Sequence, residues 1–524
     1  VNNILGDFTS LTLLEMGYRN PHTVFVDRLR AIQDQLWSDL ENRYFGGVAV
    51  QRALRMETGH AANFPVVFTS VLGLNKTKSL GGDEQTLESM SDESPVDRTM
   101  KSYGLSQTSQ VWLDIQVFDI EEGLGCNWDS VEGLFPDGLL DEMFAAVWAL
   151  LDKLGENKSY WIERTSISVS LKVKELIETT NATNLLIPPA LLHTQLLEKI
   201  KSHGTKTAIR TSNKKLSYTC LGQASQKLAS QLISNGAVKN KLIAIVMEKG
   251  WEQIVAVLGI LTSGAAYLPI DAAQPKERIH RLLTLGQVEQ VVTVQSYVQM
   301  LPMHLHAHVV DDTLFCDSDL PLQTRSTPSD IAYVIFTSGS SGEPKGVTIS
   351  HEAALNTILS INDSYDVTEK DNVFGLSNLS FDLSVFDIFG VLGAGGTLVL
   401  PKAEEYRNPS AWIPYLISDS DPAQNITLWN TVPALMQLLI EECEYKLIRL
   451  PLRMIMMSGD WIPVDLPKRI QSIAPNAQQR SLGGATEVSI WSIHYPIEEI
   501  DHSWASIPYG KALPNQQVYV LKND

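Results

Sequence analysis

The segment Val334-Ile-Phe-Thr-Ser-Gly-Ser-Ser-Gly-Glu-Pro-Lys-Gly-Val347 joins an apolar run to a loop of glycine and hydroxyl residues. The apolar residues 331–336 predict a buried strand. The loop can turn backbone N–H groups and hydroxyls toward one anion, and its lysine adds a positive charge. Pro344 stands where a Walker loop would have its Gly-Lys-Ser/Thr ending, so the loop is of another type. A flexible hydrophilic hairpin is the alternative. The coinciding glycine, hydroxyl and lysine positions favour a phosphate site made of Thr337, Ser338, Gly339, Ser340, Ser341, Gly342 and Lys345.

The composition is that of a soluble globular protein with more than one domain. A chain of 524 residues predicts two to four compact units. The apolar content is 44% and the charged content is 19%, which argues against disorder. The net charge of −19 argues against binding to a nucleic-acid backbone, which needs a basic face.

Cysteine spacing and hydropathy bear on the compartment. Four well-separated cysteines predict no disulfide framework and no metal site, and they fit a reducing, cytoplasmic setting. We find no signal peptide and no apolar run long enough to span a bilayer, so we expect no membrane partner. The sequence begins inside an apparent motif and stops in a strand at residues 518–524. We therefore expect it to be a piece of a larger protein.

Predicted strands alternate with predicted helices from about residue 190 onward. This alternation predicts a doubly wound α/β sheet with ligands at the carboxyl ends of its strands. The loop at 334–347 and the segment Gly264-Ala-Ala-Tyr-Leu-Pro-Ile-Asp271 closely resemble two core motifs of the adenylate-forming enzymes. That family includes acyl-CoA ligases, luciferases and the adenylation domains of nonribosomal peptide synthetases. The resemblance is continuous over this region and implies an acyl-CoA-synthetase-like core that binds ATP.

Two further segments match the family's fourth and fifth motifs, Phe381-Asp-Leu-Ser-Val-Phe-Asp-Ile-Phe389 and Ser481-Leu-Gly-Gly-Ala-Thr-Glu487. The resemblance implies that Asp382 pairs with the α-ammonium of an amino acid, a cation that fatty or aryl acids do not offer. An exposed loop acid is the alternative. In the fifth motif the resemblance assigns Gly483, Gly484 and Thr486 to ATP and Glu487 to Mg²⁺, which prefers oxygen ligands. Most relatives carry an aromatic residue where Gly483 stands, so adenine must stack on another residue or rest on backbone.

Motif spacing also maps the family's amino-acid pocket onto this chain. The positions follow the family pattern for L-cysteine except at Met456, where Met for Leu nearly conserves volume. Asn430 and Met456 are placed by counting from flanking motifs. The resulting pocket is small and apolar with one amide and one hydroxyl, and its members are Asp382, Leu383, Phe386, Asn430, Met456, Ser458, Leu482, Ile490 and Trp491.

Residues 1–155 contain four segments that resemble the C-terminal lobe of a heterocyclization domain, a condensation-domain variant with a chloramphenicol-acetyltransferase-like fold. The segments begin at Gly6, Val66, Ser106 and Trp128, in the family's order. Ring formation needs a carboxyl group near the leaving hydroxyl and a hydroxyl to orient or relay the proton. The resemblance implicates Thr69 and Asp114 in this step.

These two residues also have a purely structural interpretation, with Asp114 as a turn former at a strand end and Thr69 as an ordinary strand residue. We expect their side chains to lie within hydrogen-bond reach of each other or of one water, with Asp114 partly buried. Ser109 and Ile115 depart from the family, which commonly has proline and histidine there. Those departures are the support for a silent lobe that serves only as a docking platform.

The resemblance implies three regions: the lobe at 1–155, a linker at 156–189, and an adenylation core at 190–524 without its C-terminal subdomain. The implied enzyme activates an amino acid, L-cysteine on the pocket pattern, with ATP and Mg²⁺. It then forms a peptide bond and cyclises to a thiazoline with phosphopantetheine-bearing upstream and downstream carrier domains as partners. The sequence leaves open whether a small accessory activator protein is also a partner. Serine, threonine or an α-methyl relative giving an oxazoline is an alternative, whereas Asp382 and the fused lobe disfavour a stand-alone acyl ligase.

Overall fold

The structure, a computed structural model, describes residues 12–15, 24–59, 64–72, 111–120, 123–163, 171–315, 325–338, 343–418 and 420–521. Contacts divide the chain into two compact units. One comprises Val1–Glu175 with Leu521–Asp524, and the other comprises Leu176–Val520. The region expected to be a linker, 156–189, therefore contains the division.

The first unit holds a three-stranded sheet and helices. Strands β1 and β2 are parallel, and β2 and β3 are antiparallel. Residue Leu113 of β2 and Leu154 of the third helix are buried. The elements are α1 (Phe25–Glu41), α2 (Gly47–Thr58), β1 (Val66–Ser70), β2 (Leu113–Ile120), β3 (Gly123–Ser130) and α3 (Leu139–Glu156).

Two expectations for this unit change. The helical spacing of the apolar residues over 21–53 predicts a single helix, which is wrong, because a turn at 42–46 separates α1 from α2. Gly46 precedes α2 in an extended conformation, and glycine in a helix interior costs stability, so the break falls there. The alternating pattern of residues 6–15 predicts a strand, but most of these residues lie outside the described ones, and residues 12–15 have no regular structure. Helix α4 (Leu171–Thr180) crosses the division between the units, so the Ser/Thr-rich segment expected to link them is partly helical.

The second unit contains a six-stranded sheet in the order β11-β10-β7-β6-β8-β9. Its strands are parallel except for the antiparallel hairpin of β10 and β11. Apolar runs such as that of β6 form its centre, as expected for strands buried on both faces. The helices and strands from residue 194 to residue 350, which include β4 and β5 of the second sheet described below, are α5 (Thr194–Ser202), β4 (Thr207–Arg210), β5 (Lys215–Ser217), α6 (Tyr218–Ser234), β6 (Leu242–Met247), α7 (Trp251–Ser263), β7 (Ala266–Asp271), α8 (Lys276–Leu285), β8 (Gln290–Thr293), β9 (His306–Val309), β10 (Ile331–Ser338) and β11 (Pro344–Ser350).

A nine-stranded sheet follows, in the order β18-β17-β16-β15-β14-β12-β13-β4-β5. The run from β16 to β4 is parallel, and the edge strands are antiparallel. The elements are α9 (His351–Ser364), β12 (Asn372–Phe374), α10 (Leu383–Val385), a π-helical turn (Phe386–Gly390), α11 (Val391–Ala394), β13 (Thr397–Val399), α12 (Pro409–Leu416), β14 (Leu428–Thr431), α13 (Pro433–Lys446), β15 (Met454–Met457), α14 (Leu466–Ile473), β16 (Gln478–Gly483), β17 (Ile493–Ile497) and β18 (Lys511–Ala512).

Local sequence explains several of these boundaries. Helix α6 begins where the Ser217 hydroxyl accepts from the backbone N–H of Cys220, a standard N-cap. Helix α7 ends at Gly264, whose φ of 93° suits glycine at a helix end. One large apolar cluster contains Ile243 of the six-stranded sheet and Leu428 of the nine-stranded sheet. The two sheets of this unit thus share a core, and the mixed α/β architecture expected from residue 190 onward is confirmed.

Candidate functional site

The predicted phosphate loop connects β10 to β11. Thr337 and Lys345 lie opposite each other on this hairpin, and the Lys345 side chain is exposed. Residues Gly339, Ser340, Ser341 and Gly342 lie outside the described residues, as does the side chain of Ser338. The described residues therefore place the Thr337 hydroxyl and the Lys345 ammonium group at the carboxyl end of a buried strand.

Three adjacent parallel strands bring together four of the predicted pocket residues. Asn430 of β14 lies directly opposite Met456 of β15, and Met456 lies opposite Arg480 of β16. Because side chains alternate along a strand, Leu482, two residues after Arg480, belongs to the same face, and Ser458 directly follows the end of β15. All four predicted residues are buried. They therefore lie together at the carboxyl ends of β14, β15 and β16.

The helical segment after residue 381 contributes the next three. Asp382 immediately precedes α10, which begins at Leu383, and the π-helical turn begins at Phe386. The Asn430 amide donates a hydrogen bond to the Leu383 carbonyl, 3.1 Å away. This contact ties the segment to β14.

A strained turn brings the last two residues to the same place. Ser489 and Ile490 have φ values of 65° and 69°, and a β-branched residue with positive φ is a true outlier. The Thr357 hydroxyl donates to the Ser489 carbonyl at 2.9 Å and helps to hold the turn. Ile490 and Trp491 are buried, and the Trp491 ring lies 5.3 Å from that of Phe386. Strain of this kind is usually retained where function requires the geometry.

Asp382 contacts the second predicted motif. The Thr486 hydroxyl lies near its half-buried carboxylate. Burial, the largest effect, raises the pKa of Asp382, the nearby Thr486 hydroxyl opposes this, and the charge of Glu487 raises the pKa further. A nearby cation would stabilise the ionised form of a carboxylate in this setting.

Glu487 is exposed beside Thr486. Within the described ranges, no group of three or more His, Cys, Asp or Glu side chains could hold a metal ion. The donors here fit Mg²⁺ nonetheless, because that ion is commonly bound by one or two carboxylates together with substrate phosphates and water.

The sequence analysis missed Lys249 and Asp387. Asp387 is buried in the π-helical turn, and its Oδ1 accepts from the Asn430 amide at 3.1 Å. The half-buried Lys249, just after β6, donates to the backbone carbonyl of Ser377. Both residues line one cavity of ≈ 10 Å³. The position of Asp387 inside the fourth motif was the one signal that could have found it.

It also missed Tyr509. A Cβ on Gly483 would lie 2.8 Å from Cε2 of this tyrosine, so its ring occupies the space beside the glycine. Tyr509 is 69% exposed, so much of the residue faces solvent. Gly510 has a φ of 108°, and a Cβ there would lie 2.1 Å from the His494 carbonyl oxygen. Only glycine fits that approach, and it fixes the position of the preceding tyrosine.

In the first unit, Thr69 and Asp114 lie on one face of neighbouring parallel strands. Val67 pairs with Asp114, and Thr69 pairs with Gln116, so the two candidates are diagonal neighbours. The half-buried Asp114 carboxylate accepts from the Gln116 amide at 3.0 Å through Oδ2. Its Oδ1 is buried and has no hydrogen-bond partner among the described residues. No direct hydrogen bond joins Thr69 to Asp114 within this described region, so a link through one water is the expected arrangement that stays a prediction, whereas the expected partial burial of Asp114 is confirmed.

Comparison with known proteins identifies the family. The sequence profile of the AMP-binding enzymes matches residues 196–524.

The chain belongs to the AMP-binding enzymes.

Within that family it is similar to adenylation domains of nonribosomal peptide synthetases. Pyochelin synthetase PchF of Pseudomonas aeruginosa is 39% identical over 525 residues, which cover 99% of this chain and 27% of PchF. Phenyloxazoline synthase MbtB of Mycolicibacterium paratuberculosis is 32% identical over 525 residues, which cover 99% of this chain and 43% of MbtB. The chain thus spans less than half the length of these relatives.

A solved synthetase, FmoA3, has the same fold. Its AMPPNP-bound form superposes with a TM-score of 0.86 at 33% identity over 99% of this chain and 54% of FmoA3. Its form bound to α-methyl-L-serine-AMP gives a TM-score of 0.84 at 34% identity over 99% of this chain and 57% of FmoA3. Both superpositions cover 99% of this chain, so the structural similarity extends beyond residues 196–524, which the family profile matches. Among the described residues, no helix is both long and apolar enough to cross a bilayer.

Proposed function

We propose that this adenylation domain activates an amino acid with ATP and Mg²⁺ for loading onto a carrier domain. The observation that supports this most strongly is that Asp382 lies near Thr486 and directly precedes Leu383, whose carbonyl oxygen accepts from the buried Asn430 amide. Asp382 binds the α-ammonium group and so orients the substrate carboxylate. That carboxylate attacks the α-phosphorus of ATP, an aminoacyl adenylate forms, and pyrophosphate leaves. Thr486 and Lys345 contact phosphate oxygens, and Glu487 would hold Mg²⁺, which would supply positive charge to them.

The nucleotide base stacks on Tyr509 in this proposal. Tyr509 is largely exposed and lies beside Gly483, and a purine stacks on any flat aromatic surface. Gly483 leaves room for the ring, which a larger side chain at that position would displace. The tyrosine thus takes the role of the aromatic residue that most relatives carry in the fifth motif.

The amino acid is L-cysteine, the best match to the pocket pattern. Asn430 Oδ1 and Ser458 Oγ are buried without a hydrogen-bond partner among the described residues, and such atoms are costly unless a ligand pairs with them. A thiol can donate to the amide oxygen and fits a pocket otherwise closed by apolar side chains. Serine, threonine and α-methylserine also donate, and FmoA3 was solved with α-methyl-L-serine-AMP. Those amino acids are the second candidate substrates.

The first unit then catalyses peptide-bond formation and cyclodehydration to a thiazoline, or to an oxazoline with a hydroxyl substrate. The unpartnered Oδ1 of Asp114 is available to a substrate, and Thr69 lies on the same face. The names of two relatives, pyochelin synthetase and phenyloxazoline synthase, agree with such a role. A silent docking platform is the alternative, for which Ile115 and Ser109 speak.

Amino-acid-dependent exchange of pyrophosphate into ATP tests the adenylation step in the complete synthetase. We expect exchange with cysteine and its loss without Mg²⁺. Exchange that proceeds with carboxylic acids lacking an α-amino group would contradict the role of Asp382 and favour an acyl ligase.

A further inference from the structure

Lys249 and Asp387 are ionisable side chains that the adenylation chemistry leaves unexplained. Asp387 is 2% exposed, and its Oδ2 has no hydrogen-bond partner among the described residues. Lys249 lines the same cavity. Charged groups are rarely buried unless they are paired or serve a function. Asp387 also contacts Asn430, a residue of the proposed amino-acid pocket.

Asp387 and a backbone carbonyl together fix the orientation of the Asn430 amide. Nδ2 donates to Oδ1 of Asp387 and to the carbonyl oxygen of Leu383, both at 3.1 Å. An amide has two N–H donors, so both are in use. A flipped amide would direct its oxygen at two acceptors and lose both hydrogen bonds. The contacts themselves therefore determine which atom is the oxygen, and that oxygen is left buried without a partner.

Lys249 lines the same cavity as Asp387. The volume of ≈ 10 Å³ is about what one water molecule requires, and the Lys249 ammonium and Oδ2 of Asp387 supply polar partners for it. Burial raises the pKa of Asp387, which the Lys249 charge and the Asn430 hydrogen bond oppose. Burial lowers the pKa of Lys249, which the Asp387 charge opposes. Each charge thus favours the ionised form of the other.

We propose that Asp387 and Lys249 are positioning residues that hold the Asn430 amide in one orientation and so make the pocket select amino acids whose side chains donate a hydrogen bond. The inference rests on the proposed adenylation function. It narrows the substrate class to thiol and hydroxyl amino acids. An apolar isostere would leave the buried amide oxygen unpaired, which such sites discriminate against strongly.

The test compares L-cysteine with L-2-aminobutyrate, in which a methyl group replaces the thiol. The complete synthetase is assayed by pyrophosphate exchange as wild type, Asp387→Asn and Lys249→Met. We expect the wild type to prefer cysteine in kcat/KM by on the order of 10-fold or more. Both variants should lose most of this preference while the KM for ATP stays within about twofold, since the change concerns only the amide orientation.

Tyr218→Phe provides a matched control for lost stability. The Tyr218 hydroxyl donates to the carbonyls of Leu392 and Gly396, at 3.1 and 2.7 Å, so its removal also breaks buried hydrogen bonds. We expect a lower melting temperature with the cysteine preference unchanged. Lys249→Arg, which keeps the charge, should retain more of the preference than Lys249→Met.

Each outcome decides the inference. Variants that fold and keep the wild-type preference overturn it. If neither variant folds, the wild-type preference for cysteine over L-2-aminobutyrate decides. A preference below about threefold would overturn the requirement for a side-chain donor, and one above about 10-fold supports it. Strongest exchange with serine or threonine would remove the cysteine assignment yet support the inference. Strongest exchange with an amino acid that lacks a donor would overturn the inference and leave adenylation standing.

Discussion

The hydroxyl of Thr486 lies close enough to the carboxylate of Asp382 to oppose the rise in its pKa, although the two residues belong to separate motifs on separate elements. Asp382 precedes α10, and Thr486 opens the 3-10 turn that follows β16. In the proposed mechanism this contact joins the site of the amino group to the site of the phosphates. The reacting carboxylate and the α-phosphate are thereby held side by side, which is the main requirement of the step.

Asp382→Ala should abolish detectable amino-acid activation. The substitution leaves the substrate ammonium unpaired, at a cost of roughly 3–5 kcal/mol for a buried pair. Pyrophosphate exchange by the complete synthetase measures the effect, and the KM for ATP should change little. Asp382→Asn serves as the control of similar size. Full activity in either variant would contradict the assignment.

The same carboxylate predicts a pH dependence. Because burial raises the pKa of Asp382, it takes up a proton at a higher pH than an ordinary aspartate and then cannot pair with ammonium. The kcat/KM for the amino acid should therefore fall on acidification, before ordinary carboxylates titrate, and the kcat/KM for ATP at saturating amino acid should fall less. In Asp382→Asn this acid limb should be absent. An unchanged limb in that variant would assign it to another group.

Tyr509→Ala should weaken ATP binding. Loss of a stacked aromatic ring costs about 1–3 kcal/mol per base, so the KM for ATP should rise roughly 10-fold or more while that for the amino acid is unchanged. Tyr509→Phe keeps the ring and should behave as wild type. The double variant Gly483→Tyr with Tyr509→Ala returns an aromatic ring to the fifth motif and should restore part of the loss. No effect in Tyr509→Ala would place the base elsewhere.

Two buried histidines predict acid sensitivity of the second unit. The rings of His193 and His351 lie 5.6 Å apart. Burial, aided by His351, lowers the pKa of His193 to about 3 from an ordinary 6.5. A group with a lowered basic pKa adds stability above pH 6.5 that is lost as the pH falls, at about 1.4 kcal/mol per pH unit. His193→Leu should reduce the loss in urea-unfolding free energy between pH 6.5 and 5 by about 2 kcal/mol. The exposed His502→Gln should leave it unchanged, and an equally steep loss in His193→Leu would contradict this account.

Asp114→Asn should separate the two reactions proposed for the first unit. Peptide-bond formation depends mainly on proximity, whereas loss of the hydroxyl as water needs an acid. We expect the uncyclised cysteinyl peptide to accumulate in the complete synthetase, as seen by mass spectrometry of the carrier-bound products. Ring formation at the wild-type rate would favour the docking-platform alternative. Gln116→Leu, which removes the hydrogen bond to Asp114, should have a smaller effect in the same direction.

Local patterns in the sequence predicted most of the second unit, since strand runs such as that of β10 and the order of strands and helices follow from hydrophobic periodicity. The pocket residues Asn430 and Met456 were placed by counting, and the structure puts them opposite each other. What escaped prediction depends on long-range contacts. Asp387 became relevant only through its contact with β14, and Tyr509 only through its approach to Gly483.

In the first unit, the sequence could not predict the pairing register of β1 and β2. Thr69 pairs with Gln116, and a sequence pattern does not fix which residues of two distant strands lie opposite each other. The two candidates consequently share a face without a direct hydrogen bond between them among the described residues. A substrate or one water held between them could contact both, and this arrangement stays a prediction.

The most direct test of the central claim is pyrophosphate exchange by the complete synthetase with each of the twenty amino acids in parallel. The account predicts strongest exchange with L-cysteine, weaker exchange with serine or threonine, and little with amino acids whose side chains lack a hydrogen-bond donor. Strongest exchange with a bulky apolar or an acidic amino acid would contradict it.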